Sequence, residues 1–241
     1  MEKLFYALWQ TEAAAPVWSA RLLSLPVMLA AAGAERVRIG VPDVPVPEAD
    51  PYADMRKAAP AGFVSFWLNS ARFRDGAERA VRAVAPKLAG YSVLESTILP
   101  ATSPAEGARE EGFLQVCGFA VLPHLSRAEL WESWLGRHTA VAVETQRTTF
   151  YNQNVVVRAL TEAAPPWDAI VEERFPAAAL QNREVYFDAV GDPARLEANM
   201  ARMAESCGRF IDFSRLALMN CGEYRFGEWC EAPHGWNRLQ A

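Results

Sequence analysis

GFLQVCGFAVLPHLSRAELWESWLGRHTAVAV, residues 112–143, restarts a pattern that the upstream chain already contains. Gly112 to Leu122 is an apolar run of strand length. Ser126 and Glu129 then form an S-x-x-E capping box, in which each side chain takes a backbone N–H of the first helical turn, and the helix they open runs to about Val143. Upstream, Leu4 to Trp9 is a short strand, and Trp18, Leu22, Leu25 and Leu29 recur at helical spacing as far as Gly33. Pro26 lies inside that helical pattern and is expected to kink it or shift its start.

Outward from these two starts the halves keep step. In the first, Glu35 to Val41 is a weak strand, PDVPVPEADPYAD a connector, Gly62 to Leu68 a strand, and Asp75 with Glu78 a second capping box opening a helix over Gly76 to Leu88. Gly90 is read as the stop, followed by a strand from Tyr91 to Leu99. Residues 100–111, small, polar and charged, form the linker. In the second half the helix is followed by strands at about Thr148 to Val157 and Trp167 to Phe175. Asp192 and Pro193 then open a helix to about Gly208, and Leu216 to Phe226 is the closing strand. The order β-α-β-β-α-β thus occurs twice, offset by roughly 110 residues. The expectation is an α+β chain of two tandem ferredoxin-like modules, 1–103 and 111–228, with a tail at 229–241. A four-stranded sheet covered on one side leaves its other face bare, so pairing two of them face to face forms an intramolecular dimeric barrel.

Composition narrows the function. The chain has 241 residues, 51% hydrophobic and 22% charged, with a formal net charge of -5. That charge offers no attraction for nucleic acid or for an anionic membrane. No stretch is long enough to span a bilayer and no export signal is visible, so the expected location is the cytoplasm. The cysteines, Cys117, Cys207, Cys221 and Cys230, form no CxxC pair and read as core thiols. Metal-binding, nucleotide-binding and serine-hydrolase motifs are missing from the sequence. Eight Trp, twelve Phe and six Tyr suit a cavity for a flat apolar ligand, although such residues also build ordinary cores.

The polar residues capable of chemistry lie in the second half. On its first helix Trp131, Trp134, Leu135, His138, Val141 and Ala142 share one face, which turns His138 inward, and an imidazole in apolar surroundings is expected to titrate near neutrality. The next strand carries Tyr151, Asn152, Gln153 and Asn154 in succession; alternation sends Tyr151 and Gln153 to one face, Asn152 and Asn154 to the other. Glu173 reads as an inward carboxylate, with a salt bridge to a nearby Arg as its ordinary explanation. His124 and His234 read as exposed loop residues.

The second half resembles the EthD domain of the dimeric α/β barrel superfamily. The resemblance is carried by Trp134 and His138 four apart on a capped helix, by Tyr151, Gln153 and Asn154 on the following strand, and by the PPWDAIVE start at Pro165 to Glu172. The first half looks like a degenerate copy: Trp18 is present, but residues 1–110 contain no histidine. The resemblance implies a ligand cavity between sheet and helices. Superfamily relatives such as muconolactone isomerase and olivetolic acid cyclase carry out cofactor-free proton transfer, and other branches bind haem. The expected activity is therefore that of a lyase, isomerase or decarboxylase acting on a hydrophobic, aromatic small molecule without cofactor or metal. His138 is the expected general acid-base and Tyr151 the hydrogen-bond donor, with Trp131, Trp134, Gln153, Asn154 and Glu173 binding substrate. A non-catalytic metabolite-binding protein and a haem protein ligated by His138 are the alternatives, and pairing of the two-half unit into a homodimer is left open.

Overall fold

Alternating apolar residues define eight strands: β1 Glu2–Leu8, β2 Glu35–Val41, β3 Gly62–Leu68, β4 Leu88–Leu99, β5 Phe113–Val121, β6 Phe150–Ala159, β7 Ala169–Phe175 and β8 Ile211–Phe226. In a computed structural model, which describes residues 1–10, 15–45, 59–101 and 105–227, they close into one barrel. Most of the Pro- and Asp-rich connector, residues 102–104 of the linker, and the tail with Cys230 and His234 lie outside the described residues. Every neighbouring pair is antiparallel, in the order β1-β3-β2-β8-β5-β7-β6-β4, and β4 returns to β1. Each half contributes one contiguous arc, β4-β1-β3-β2 and β8-β5-β7-β6. The arcs join where β2 meets β8 and where β4 meets β6.

Seven α-helices accompany the strands among the described residues. The first half carries α1 Ala15–Leu22, α2 Leu25–Ala31 and α3 Asp75–Val84; the second carries α4 Arg127–Trp131, α5 Thr139–Thr145, α6 Arg183–Tyr186 and α7 Pro193–Gly208. One parity of each strand faces these helices and the other faces the barrel interior. Leu4, Tyr6 and Leu8 of β1 pack with Trp18, Leu22 and Leu29 of the first-half helices, while Phe5 and Ala7 point inward. The interior is filled: Phe5 stacks on Phe63 at 5.1 Å and Tyr91 on Trp167 at 5.3 Å. Trp167 lies directly over Gly118, where a Cβ would come within 2.5 Å of the indole.

Between these aromatic layers the interior is ionic. Lys3 donates to Glu172 at 2.9 Å and to Asn154 at 2.8 Å, and Arg38 contacts Glu172 at 2.9 Å and Glu223 at 2.7 Å. Arg174 reaches Glu223 at 2.6 Å and Glu110 at 2.9 Å, and Arg225 reaches Glu223 at 2.9 Å. The guanidinium groups of Arg38, Arg174 and Arg225 all lie over Phe150, at 4.8, 5.2 and 5.1 Å from its ring centre. Lys3 and Arg38 belong to the first arc, Glu172 and Glu223 to the second, so the pairs join the arcs through the interior. The cations around Glu223 hold its carboxyl well below the ordinary range despite burial.

Local signals fare unevenly. The Ser126–Glu129 box forms with both bonds, and Asp192 accepts the Arg195 N–H at 3.0 Å with Pro193 opening α7. Pro26 sits in the first turn of α2, so it resets the helix start. Asp75 and Glu78 do not form a capping box. Glu78 instead accepts from the Tyr6 hydroxyl at 3.2 Å and pairs with Arg74 and Arg82, while α3 continues from a 3-10 turn, Ala71–Phe73, capped by Ser70. Gly90 is not a helix stop: it lies within β4, where the Tyr6 ring occupies the space of its missing Cβ, 2.5 Å away. The helix expected from Ser126 to Val143 is also interrupted, because Glu132–His138 winds as a π-helix between α4 and α5. A π turn takes more residues than an α turn and so rotates the side chains downstream of it about the helix axis. Glu132 and Arg137, five apart, pair across it.

Candidate active site

The helix-facing side of the second arc carries a polar row that crosses all four strands. Register places Asn220 of β8 beside Gln115 of β5, Gln115 beside Glu173 of β7, and Glu173 beside Tyr151 of β6. Directly paired residues on one face have Cβ atoms about 5 Å apart. The amides hold the phenols: the Gln153 side chain donates to the Tyr151 hydroxyl at 2.9 Å and to Thr139 at 3.0 Å, while Gln115 and Gln146 donate to the Tyr186 hydroxyl at 3.0 and 2.9 Å. Trp134, fully buried, meets Phe119 edge to face at 5.6 Å and closes the row from the helix side.

Glu173 is the unusual member. It is only 8% exposed, yet it makes no ion pair among the described residues; the expected salt bridge is not there, because Arg174 points into the barrel to Glu223 and Glu110. Burial without a counter-ion pushes its carboxyl up to about 7. Its neighbours respond in the same sense. Burial and then the Glu173 charge raise the Tyr151 phenol well above its ordinary value and the Cys207 thiol to about 12. Tyr151 therefore keeps its proton and can donate it in a hydrogen bond, and Glu173 is the group that gains and loses a proton near neutrality.

His138 is buried, as its spacing predicts, but its titration departs from the expectation. Its Nδ1 lies 2.9 Å from the Ser206 hydroxyl of α7, and its ring packs edge-on against Phe210 at 5.0 Å. Burial lowers the imidazole to about 4, so it is neutral at physiological pH and does not titrate near neutrality. Two further expected site residues are not gathered with the others. Trp131 is 47% exposed, under the Arg127 guanidinium, because the π segment turns it away from the face shared by Trp134 and His138. Asn154 faces the barrel interior, as strand alternation requires, and is bonded to Lys3 and Glu172. Trp134, Tyr151, Gln153 and Glu173 do come together. Gln115, Gln146, Tyr186 and Asn220 join them without having been expected from the sequence. For Gln115 a signal exists: it is a polar residue at a helix-facing position of an apolar strand.

Among the described residues, the first half has no such row. Its helix-facing cross-strand pair Leu4 and Phe66 lies in an apolar cluster with Trp18. A separate cleft of about 530 Å³ opens at the end of the second half, lined among others by Leu130, Val155 and Trp167 but not by His138, Tyr151 or Glu173. The haem alternative does not fit His138, whose ring is buried, bonded through Nδ1 to Ser206, packed on Phe210 and not among the residues that line that cleft. Among the described residues, no three His, Cys, Asp or Glu side chains are grouped as metal ligands, and no helix is long and apolar enough to cross a membrane.

Eight antiparallel strands closed into one barrel, with helices outside, match the dimeric α/β barrel fold. In particular, the chain is similar to an anthrone oxidase-like protein of known structure, with 11% identity, a TM-score of 0.53 and 96% of both chains covered. Weaker likenesses link it to a mutant chlorite dismutase from Candidatus Nitrospira defluvii (8% identity, 92% of this chain and 91% of that one, TM-score 0.47). A candidate monooxygenase from Lactobacillus acidophilus NCFM is similar at 10% identity, over 93% of each chain, with a TM-score of 0.44. Identity this low speaks to fold alone. No family model and no curated protein matches the chain, so the resemblance to EthD rests on its residue patterns.

Proposed function

We propose that the chain is an enzyme that moves a proton on a hydrophobic, aromatic small molecule, with Glu173 as the acid-base group. In this reading the arcs are two ferredoxin-like modules, 1–103 and 111–228, and only the second, EthD-like one is equipped for chemistry. The observation that carries it is the Glu173 carboxyl, buried, without an ion pair among the described residues and raised to about 7. A carboxylate of that basicity accepts a proton from an activated C–H or phenol and returns it at neutral pH. Tyr151, its cross-strand neighbour, stabilises the developing oxyanion: its oxygen already accepts from Gln153, which leaves its own O–H to donate. Trp134 and Phe119, packed edge to face, flank the row with apolar surface, and neutral His138 is joined to α7 through Ser206.

The test is deuterium exchange into enolisable aromatic ketones, anthrone among them, followed by NMR. Glu173→Gln is expected to lose exchange by about a hundredfold or more. The wild-type rate should rise with pH to a plateau above about 7, as the base form accumulates. Exchange that survives unchanged in Glu173→Gln sinks the assignment. His138→Ala separates the rival: a loss as large as that of Glu173→Gln would make the imidazole the proton carrier. The likeness to an anthrone oxidase-like protein favours a second reading, in which the deprotonated substrate reacts onward with dioxygen. An oxygen electrode run beside the exchange assay distinguishes the two.

A further inference from the structure

The cleft of about 530 Å³ is built from different material than the Glu173 row, and the proposed proton chemistry does not use it. Its floor is apolar: Leu130 of α4 and Val155 of β6 are buried, and Trp167, stacked on Tyr91, supplies an aromatic wall. Val155 lies four residues along β6 from Tyr151, about 13 Å at the rise of an extended strand. The volume falls in the range of small-molecule sites, about 300–1,000 Å³. Arg127 and Arg158 line the same cleft, and both are exposed.

Charge sets the cleft apart from the row. Neither arginine makes an ion pair with a described residue; the Arg127 guanidinium lies 5.8 Å from the Trp131 ring centre, and Arg158 has as its counter-charge the Glu2 carboxylate, which is outside the cleft lining. The one carboxylate lining the cleft, Asp168, accepts the Val121 backbone N–H at 2.9 Å. Two cations against one committed carboxylate make the cleft locally positive in a chain of formal net charge -5. An apolar, aromatic-walled floor beneath two guanidinium groups matches a molecule with a flat hydrophobic body and an anionic end.

We propose that this cleft is a binding site for amphipathic aromatic anions, such as carboxylates or sulfonates of fused-ring compounds, separate from the Glu173 row. The probe is anilinonaphthalene sulfonate, titrated by fluorescence against the full chain, with neutral N-phenylnaphthylamine as its uncharged counterpart. Saturable one-to-one binding of the anion is expected, weakened about tenfold in Arg127→Ala/Arg158→Ala, while the neutral probe changes less than about twofold. Val157→Trp fills the cleft from a position 59% exposed in the native chain, so folding is spared, and it should abolish binding of both probes. Glu173→Gln should leave both affinities unchanged, which keeps this site distinguishable from the proton-transfer site. Non-saturating binding, binding indifferent to the double arginine change, or binding that persists in Val157→Trp would each overturn the proposal.

Discussion

Replacing Glu173 by Gln should stabilise the protein at high pH and do almost nothing at low pH. Holding a carboxyl at about 7 instead of its ordinary 4.5 costs its ionised form about 3 kcal/mol. Proton binding sets the sign. Between these two values the folded chain holds a proton that the unfolded chain has released, so stability falls as pH rises, and the whole penalty is present above about 7. Below about pH 4.5 both states carry the neutral acid and the penalty vanishes. Glutamine keeps the shape and cannot ionise. Urea unfolding tracked by circular dichroism should therefore show the variant more stable than wild type by about 3 kcal/mol at pH 8 and equal to it near pH 4.5, with a thermal midpoint up to roughly 10 °C higher at the alkaline end. The other carboxylates titrate in both proteins and cancel in the difference. If the gap between variant and wild type is the same at both pH values, Glu173 is not a buried, uncompensated acid, and the reasoning behind its catalytic role fails with it. A residue that destabilises its own fold at working pH is the pattern expected of a functional group.

Two further outcomes test the scaffold. Glu223→Gln removes the carboxylate shared by Arg38, Arg174 and Arg225 and should cost about 3–5 kcal/mol in urea unfolding at pH 7, since it leaves buried guanidinium groups undercompensated; a loss below about 1 kcal/mol would mean the interior is hydrated. Ser126→Ala breaks the capping box that starts α4 and should lower stability by about 1 kcal/mol, read as a shift of the urea midpoint with unchanged slope.

Much of the scaffold is legible because its signals are local. Ser126 with Glu129, Asp192 before Pro193, and Pro26 in a helical pattern act within one helical turn, and each does what its chemistry predicts. The failures share a cause. Asp75 and Glu78 have the spacing of a capping box, but Tyr6 from a distant strand claims the carboxylate. Trp131 has the spacing of an inward residue, but a π segment changes the winding. The inward face of His138 is legible in its spacing, and the burial it brings is what lowers the pKa; the neutral-range titration passes instead to Glu173, for which the sequence suggests an arginine partner. The ionic interior leaves a faint trace, charged residues such as Lys3, Arg38 and Glu223 within apolar strands, but nothing in the sequence indicates that they meet.

By itself, then, the sequence determined the order of strands and helices and the parity of the strands, since hydrophobic period and capping are properties of neighbouring residues. Closure of the barrel decided the rest. Lys3 and Glu172 are separated by 169 positions in the chain yet share a bond, and Arg174 is drawn away from Glu173 by Glu223 on another strand. Which charges find partners, and which carboxyl has none among the described residues, depends on groups brought together from distant parts of the chain. That difference in pairing, under burial that makes each missing counter-ion costly, leaves one glutamate with a raised carboxyl and makes its immediate neighbour Glu172 part of the scaffold.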